Sequence, residues 1–325
     1  MDPYLLHTID FLHQFTGNNC ESAFSDKVIN GQKPDGIIIV GMGSSAHIGR
    51  LLQHLTMAKH LPPIFVWDNY LLPKTPFRFP LYIFLSVTGG THEVLSGLEN
   101  LLSVRKIHSM FQIGILAGGG KLKDLAIAHK IPSIFFDVNG KMPREALGVM
   151  YKSLILLLAH FFTIPTFQTP DVSPAEIAPT AKEVAEKIKN KITLIYTDRE
   201  HAYLGYIWKT IMNETGKLLS FNHTFPELFH NEITSFIPRT IGTHILWLYG
   251  EQKIAELETK IQKVQTILAG NGTGSTTIGL PGATKDDQAW NSIVLSHLVG
   301  YYVAEMTGQN PTNIDIINNL KKGLL

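Results

Sequence analysis

The chain has 325 residues, with 28 basic and 27 acidic side chains, a net charge of +1, 44% hydrophobic residues and 17% charged ones. That length suits two domains of about 150 residues each, and that composition builds a sizeable core and excludes a disordered chain. Balanced charge without a long basic stretch argues against nucleic acid as a partner. Cys20 is the single cysteine, so neither an internal disulfide nor a CxxC metal site is available, and a reducing, cytoplasmic setting is expected.

Residues 1–15 mix Asp2, His7, Asp10 and His13 with apolar residues, the pattern of an amphipathic helix rather than a signal peptide. The run GIIIV at 36–40 reads as a buried parallel strand, followed by a Gly-rich turn and a helix. Further strands are predicted at 64–67, 81–85, 111–116 and 133–136, with a helix at 92–104. The apolar run 154–159 with Phe161 and Phe162 is too short to span a bilayer, so no membrane association is expected. Pro165, Pro170, Pro174 and Pro179 punctuate 166–179, which marks the domain boundary. Beyond it come a helix at 181–190, a strand at 192–196, a helix at 202–219, a strand at 244–249, a helix at 254–268, a Gly/Thr-rich stretch and a long helix at 286–306. Strand–loop–helix alternation in both halves predicts α/β domains with doubly wound parallel sheets, over 1–165 and 180–325. The restart of the pattern suggests internal duplication, which different strand orders in the two halves would exclude.

Two loops stand where a buried strand hands over to a helix: Gly41-Met42-Gly43-Ser44-Ser45 and Ser86-Val87-Thr88-Gly89-Gly90-Thr91. Free N–H groups at a helix start, hydroxyls and glycines together suit an oxyanion. Ordinary capped Gly turns are the bland alternative. Gly41-x-Gly43-x-x-Ala46 with Asp68 also fits a dinucleotide fingerprint, but the paired serines and the hydroxyl-rich second loop are features such a site does not need. In the second half, WKTIMNETGK sets Glu214 and Lys217 three apart on one helical face, and PELFHNE sets His230 between Glu227 and Glu232. Solvated surface groups are the commoner reading of both. Arg144 in KMPREALG suits a hydroxyl, carboxylate or phosphate, or else points to water; Lys321 and Lys322 suit a helix C-terminus. The histidines show no zinc-like spacing and no HExxH occurs, so no metal and no cofactor are expected.

Taken together, GMGSSAHIG, DNYLLP leading into FLSVTGGTHE, MPREALG, WKTIMNETGK, PELFHNEI and TGQNPTNIDIINNLKKGL resemble the SIS (sugar isomerase) superfamily, and within it the bifunctional phosphoglucose/phosphomannose isomerases. The segments keep the family's order and span nearly the whole chain. The resemblance implies two SIS-type α/β/α sandwich domains, a sugar-phosphate substrate, a metal-independent aldose–ketose isomerase and a homodimer. It assigns Ser45, Ser86, Thr88 and Thr91 to the phosphate, with Gly43 and Ser44 beside the sugar. It assigns Arg144 to the reaction intermediate, Glu214 to proton transfer between C1 and C2, His230 to ring opening in a neighbouring subunit's site, and Lys321, or Lys322 one position on, to the ring oxygen. Val87, Gly90, Phe229 and Ser44 depart from the family's pattern. A non-catalytic sugar-phosphate sensor, or a diverged isomerase for another phosphosugar, is the alternative.

Overall fold

Continuous β-branched runs become strands buried on both faces, which is what a parallel sheet covered by helices demands. The computed structural model describes residues 2–24, 32–103, 110–236, 242–250, 254–321 and 323. The backbone divides into Asp10–Thr169 and a second unit made of Met1–Ile9 with Pro170–Leu325. The N-terminal helix α1 (Pro3–Ile9) therefore groups with the second unit, not the first.

In Asp10–Thr169 the elements run α2 (His13–Thr16), β1 (Cys20–Ala23), β2 (Gly36–Val40), α3 (Ser44–His54), β3 (Ile64–Trp67), β4 (Pro80–Ser86), α4 (His92–Ser103), β5 (Gln112–Ala117), α5 (Gly120–Ala128), β6 (Ser133–Phe136) and α6 (Leu147–Phe161). The sheet order is β1-β6-β5-β4-β2-β3, parallel except for β1, which pairs antiparallel with β6. Side chains alternate along each strand. Ile38, Val40, Tyr82, Phe84 and Ile115 pack against Val94, Leu98 and Leu101 of α4 and Leu122 of α5. Ile37 and Ile39 are fully buried on the opposite face, where α3 lies. Burying one such side chain stabilises the fold by about 1.5–3 kcal/mol.

The second unit runs α7 (Pro174–Ile188), β7 (Ile192–Asp198), α8 (Ala202–Glu214), β8 (Ser220–Phe225), β9 (Thr243–Leu248), α9 (Ala255–Gly270), β10 (Gly274–Ile278), α10 (Lys285–Met306) and α11 (Asp315–Lys321), with α1. Its four strands are parallel in the order β10-β9-β7-β8. Counted by appearance, the first four parallel strands of each sheet run second–first–third–fourth, with β6 a fifth in the first sheet, the shared order that internal duplication requires. Helix α10 is buried from Ala289 through Ala304 on every side, and α7, α8 and α1 surround it. Among the described residues, no helix is long and apolar enough to cross a membrane.

Several boundaries differ from the sequence reading. Part of the expected linker is helical from Pro174, because proline is tolerated at a first helical position, and Pro179 falls inside that helix. The helix expected over 202–219 stops at Glu214, and the residues after it form a turn and β8. The Gly/Thr-rich stretch holds β10, and β1 was not anticipated. In the helix expected over 92–104, residue 104 lies outside the described residues.

The segment entering α7 is fastened to α10. Asp171 N–H donates to the Asp287 carboxylate (2.8 Å), Ser173 N–H to Asn291 Oδ1 (3.3 Å), and Asn291 Nδ2 to Asp171 O (2.8 Å). Asp287 also closes a capping box with Thr284 at the start of α10. Burial alone raises the Asp287 pKa, but hydrogen bonds from the Thr284 hydroxyl and from the Asp171 and Thr284 N–H groups outweigh it and hold the carboxyl below its ordinary value. A carboxyl depressed in the folded state stabilises above its unfolded pKa, and that contribution is lost as pH falls through the folded value. Asp287→Ala is expected to lower the unfolding free energy by about 1–2 kcal/mol at pH 7 in urea titrations. The gap to wild type narrows as the pH is taken below about 4.

Candidate active site

A parallel sheet opens a crevice where its strand order reverses, because the helices after the two strands leave to opposite faces. In Asp10–Thr169 that reversal falls between β2 and β4, which are hydrogen-bonded neighbours. The loops leaving their carboxyl ends are the two singled out by sequence. The first gives α3 an N-cap of Gly43 with no side-chain cap, so the first-turn N–H groups are not satisfied by a cap residue. Ser44 and Ser45 are both buried. The Ser45 N–H is taken by Met42 O (3.0 Å), so only its hydroxyl remains for a ligand.

The second loop is organised by its own hydroxyls. Ser86, 2% exposed, shares a 2.8 Å hydrogen bond with Thr91 Oγ1, and its Oγ accepts from Gly89 N–H at 3.0 Å. Ser86 thus shapes the loop from within, and Thr91 beside it is half-buried. Thr88 is exposed, and its Oγ1 accepts from Gly90 N–H (3.3 Å). Gly90 meets nothing within 4 Å of a built Cβ, so the backbone does not require glycine there. It lines an open cavity of about 560 Å³ with Tyr70, His92, Ser96, Glu99 and Lys121.

The loop rests on a turn that sequence analysis passed over. Gly118-Gly119-Gly120 follows β5, and its backbone lies directly under residues 87–89. Gly89 has φ +64°, and a Cβ on it would sit 1.7 Å from Gly119 O; Gly120 has φ +63°, and its Cβ would sit 2.4 Å from Thr88 O. Leu122 N–H donates to Gly89 O at 2.9 Å, which ties α5 to the same loop. The signal in the sequence was the triple glycine itself, at the mouth of a strand adjacent to β4.

Arg144 stands in a single 3₁₀ turn, Pro143–Glu145, that packs against α3. It is 1% exposed, so the water-facing reading is corrected: a guanidinium at that depth requires polar partners. Two groups hold the turn. The Glu145 carboxylate accepts from Met142 N–H (2.9 Å). Buried Gln14 donates to Glu145 O (2.8 Å) and accepts from Gly148 N–H (3.0 Å). Gln14 is a supporting residue that nothing in the local sequence around it announced.

In the second unit the reversal falls between β7 and β9. Its crevice is occupied by an internal pair, His201 Nδ1 against both oxygens of Asp198 (2.8 and 2.9 Å), flanked by Lys285 on Glu200 (2.5 Å). Glu214 sits elsewhere. Helix α8 starts after the carboxyl end of β7 and runs back, so Glu214, its last residue, reaches the opposite end of the sheet, where Asn213 Oδ1 caps the first N–H of β8 at Ser220 (2.9 Å). There it lines a cavity of about 510 Å³ with Asn213, Lys217, Asn310, Asn313 and Ile317.

Glu214 and Lys217 do not share a helical face. The helix ends at Glu214, and Lys217 lies beyond it with φ +55°. Its ammonium donates to the Glu214 backbone carbonyl (2.7 Å) and to Asn313 O, so it closes the helix end. His230 ends the 3₁₀ turn Glu227–His230 and is exposed. Neither flanking glutamate reaches it: Glu227 accepts from Asn231 (3.3 Å) and Glu232 pairs with His223 Nδ1 (2.6 Å). Phe229 is stacked on Phe225 (5.9 Å, 8°) beside Trp247 in the core under α9, so this departure from the family pattern has a packing reason. Lys321 is the last residue of α11 and exposed; Lys322 lies outside the described residues.

Comparison with known proteins matches residues 178–324 to the bacterial phospho-glucose isomerase C-terminal SIS domain. The bifunctional phosphoglucose/phosphomannose isomerase of Thermoplasma acidophilum is 26% identical over 296 residues, covering 88% of each chain. The protein of the same name from Aquifex aeolicus is 26% identical over 304 residues, covering 89% of this chain and 90% of that one. Among solved structures, glucosamine-6-phosphate deaminase from Thermotoga maritima superposes with a TM-score of 0.64 at 15% identity, covering 96% of this chain and 97% of that one. The C-terminal domain of glucosamine-fructose-6-phosphate aminotransferase from Francisella tularensis gives 0.65 at 11% identity, covering 96% and 98%. These structural likenesses carry the fold alone: α/β domains built on parallel sheets.

The glycine contact makes a direct prediction about the first unit. Gly89→Ala forces both a left-handed φ and a collision with Gly119 O, and is expected to cost more than about 1 kcal/mol of stability. In thermal-shift titrations, inorganic phosphate raises the melting temperature of the wild-type chain and no longer raises that of Gly89→Ala.

Proposed function

We propose that this chain, whose residues 178–324 match the bacterial phospho-glucose isomerase C-terminal SIS domain, is a phosphosugar aldose–ketose isomerase. It interconverts fructose 6-phosphate with glucose 6-phosphate, mannose 6-phosphate or both through a cis-enediolate. The observation that carries this reading is Glu214: a carboxyl-bearing side chain at a helix end that Lys217 closes, lining a cavity inside the matched segment. Relatives aligned over about nine-tenths of the chain and bearing both isomerase names support it.

Each step then has a group. The hydroxyls of Ser45, Thr88 and Thr91, with the N–H groups at the start of α3, hold the phosphate; this binding, remote from the reacting carbons, positions C1 and C2. Ser86 acts one bond back, by holding Thr91. His230 and Lys321 serve ring opening, passing a proton between the ring oxygen and the anomeric hydroxyl. Glu214 takes the proton from the carbon next to the carbonyl and returns it to the other carbon. The enediolate is planar, so the face on which C2 is protonated decides between glucose and mannose 6-phosphate. The buried Arg144 supplies fixed positive charge to the enediolate oxygens, where a preorganised donor is most effective. Gly43 and Ser44 shape the wall beside the sugar.

We read the working form as a homodimer in which His230 serves the neighbouring subunit. Its exposure fits a side chain whose partners lie outside its own unit.

Glu214→Gln is expected to lower kcat by about 100-fold or more while the KM for fructose 6-phosphate stays within about threefold. Near-normal turnover removes Glu214 from the role. Co-expressing Glu214→Gln with His230→Ala tests the shared site: heterodimers then carry one intact site, and about one quarter of wild-type activity returns from two nearly inactive chains. No recovery refutes the shared site.

A further inference from the structure

Directly beneath Glu214 lies a buried polar cluster that the reaction does not use. The Tyr4 hydroxyl, from the N-terminal helix α1, contacts Thr215 Oγ1 at 2.9 Å and His297 Nδ1 at 2.5 Å. Tyr4 and Thr215 are both 0% exposed, and His297, on α10, is 2% exposed. The Tyr4 ring stacks on Tyr301, one turn along α10 from His297 (6.3 Å, 9°). Either tautomer of His297 completes both bonds: the phenol donates to one partner and accepts from the other. A hydroxyl at that depth is expensive unless bonded, so this geometry is strongly specified.

Thr215 is the residue after Glu214. Its N–H donates to Ile211 O (2.8 Å), Gly216 N–H also donates to Ile211 O (3.2 Å), and Leu218 N–H reaches back to Met212 O (3.0 Å), so the end of α8 winds straight into a tight turn. The turn lies against α10 at Gly300, where an added Cβ would sit 3.1 Å from Ile211 Cγ2 and 3.3 Å from Thr215 Cβ. The Cα of Glu214 is thus fixed from below through Thr215 and from the far side through Lys217. Only the first of these constraints comes from the chain's opening residues, 211 positions away.

We propose that Tyr4 is a positioning residue for Glu214: its hydroxyl, shared with His297, anchors Thr215 and so sets where the carboxylate stands in its cavity. Helix α1 then belongs to the proton-transfer apparatus, which accounts for its grouping with the second unit. This rests on Glu214 as the proton carrier. A misplacement on the order of 1 Å costs a rate of about 100-fold, so a partial loosening of the turn is read mainly in kcat.

Tyr4→Phe keeps the ring on Tyr301 and removes both hydrogen bonds. The expected result is a kcat about tenfold lower with KM within about twofold, and faster amide hydrogen exchange over residues 211–218. Thr215→Val produces the same loss, Thr215→Ser recovers most of it, and the Tyr4→Phe/Thr215→Val double variant is no slower than either single one. A lowered melting temperature with kcat unchanged, or faster exchange confined to residues 3–9, overturns the proposal. If Tyr4→Phe does not fold, the Thr215 pair decides, because Thr215→Ser and Thr215→Val differ chiefly in the hydroxyl. A wild-type chain without turnover, or an active Glu214→Gln, refutes the isomerase reading instead; the hydrogen-exchange arm still answers whether Tyr4 holds the turn.

Discussion

A parallel sheet whose strand order reverses cannot be covered by helices at the point of reversal, and the Gly- and hydroxyl-rich loops of this chain stand at that point. In Asp10–Thr169 the uncovered point lies between β2 and β4, and the two loops that leave it carry hydroxyls and glycines instead of bulk. In the second unit the equivalent point is closed by Asp198 and His201 with Glu200 and Lys285 alongside. Two sheets with one strand order have thus diverged chemically at the same place. Glu214, the proposed proton carrier, lies at the far end of α8, where the sheet geometry alone makes no site.

Holding short polar loops still requires support that is itself unreactive. The loop 86–91 is seated on bare backbone at 118–120, closer than any side chain permits. Arg144 is held by Gln14 and Glu145, and Glu214 by Lys217 and Asn313 on one side and the buried Tyr4–Thr215 contact on the other. Arg144 and Glu214 therefore each have a chain neighbour, Glu145 and Thr215, whose hydrogen bonds fix the local backbone. That is the condition under which modest side chains such as a glutamate and an arginine give large rate effects: the charge is in place before the reaction begins.

Much of this was legible in the sequence. The strands Gly36–Val40, Ile64–Trp67 and Ser133–Phe136 were set by uninterrupted apolar runs, and the loops at 41–45 and 86–91 by glycines and hydroxyls at strand–helix junctions. The strands that escaped were β1 (CESA), β8 (SFNHTF) and β10 (GSTTI): all are edge strands, held by backbone pairing more than by burial, so hydrophobic periodicity carries little of their signal. The helix stop at Glu214 was missed because Thr215-Gly216-Lys217 ends it through a left-handed lysine, not through a glycine at that position. Tyr4, Gln14 and His297 were invisible as a class, since their roles depend on contacts more than a hundred residues away.

The central claim is that the chain turns over a sugar phosphate and does more than bind it. The most direct measurement offers fructose 6-phosphate to the purified protein at neutral pH, and detects glucose 6-phosphate and mannose 6-phosphate separately by coupled assays. The account predicts that at least one aldose accumulates toward equilibrium. Absence of both, with fructose 6-phosphate still raising the melting temperature, would contradict it and leave a sugar-phosphate-binding protein built on the same loops.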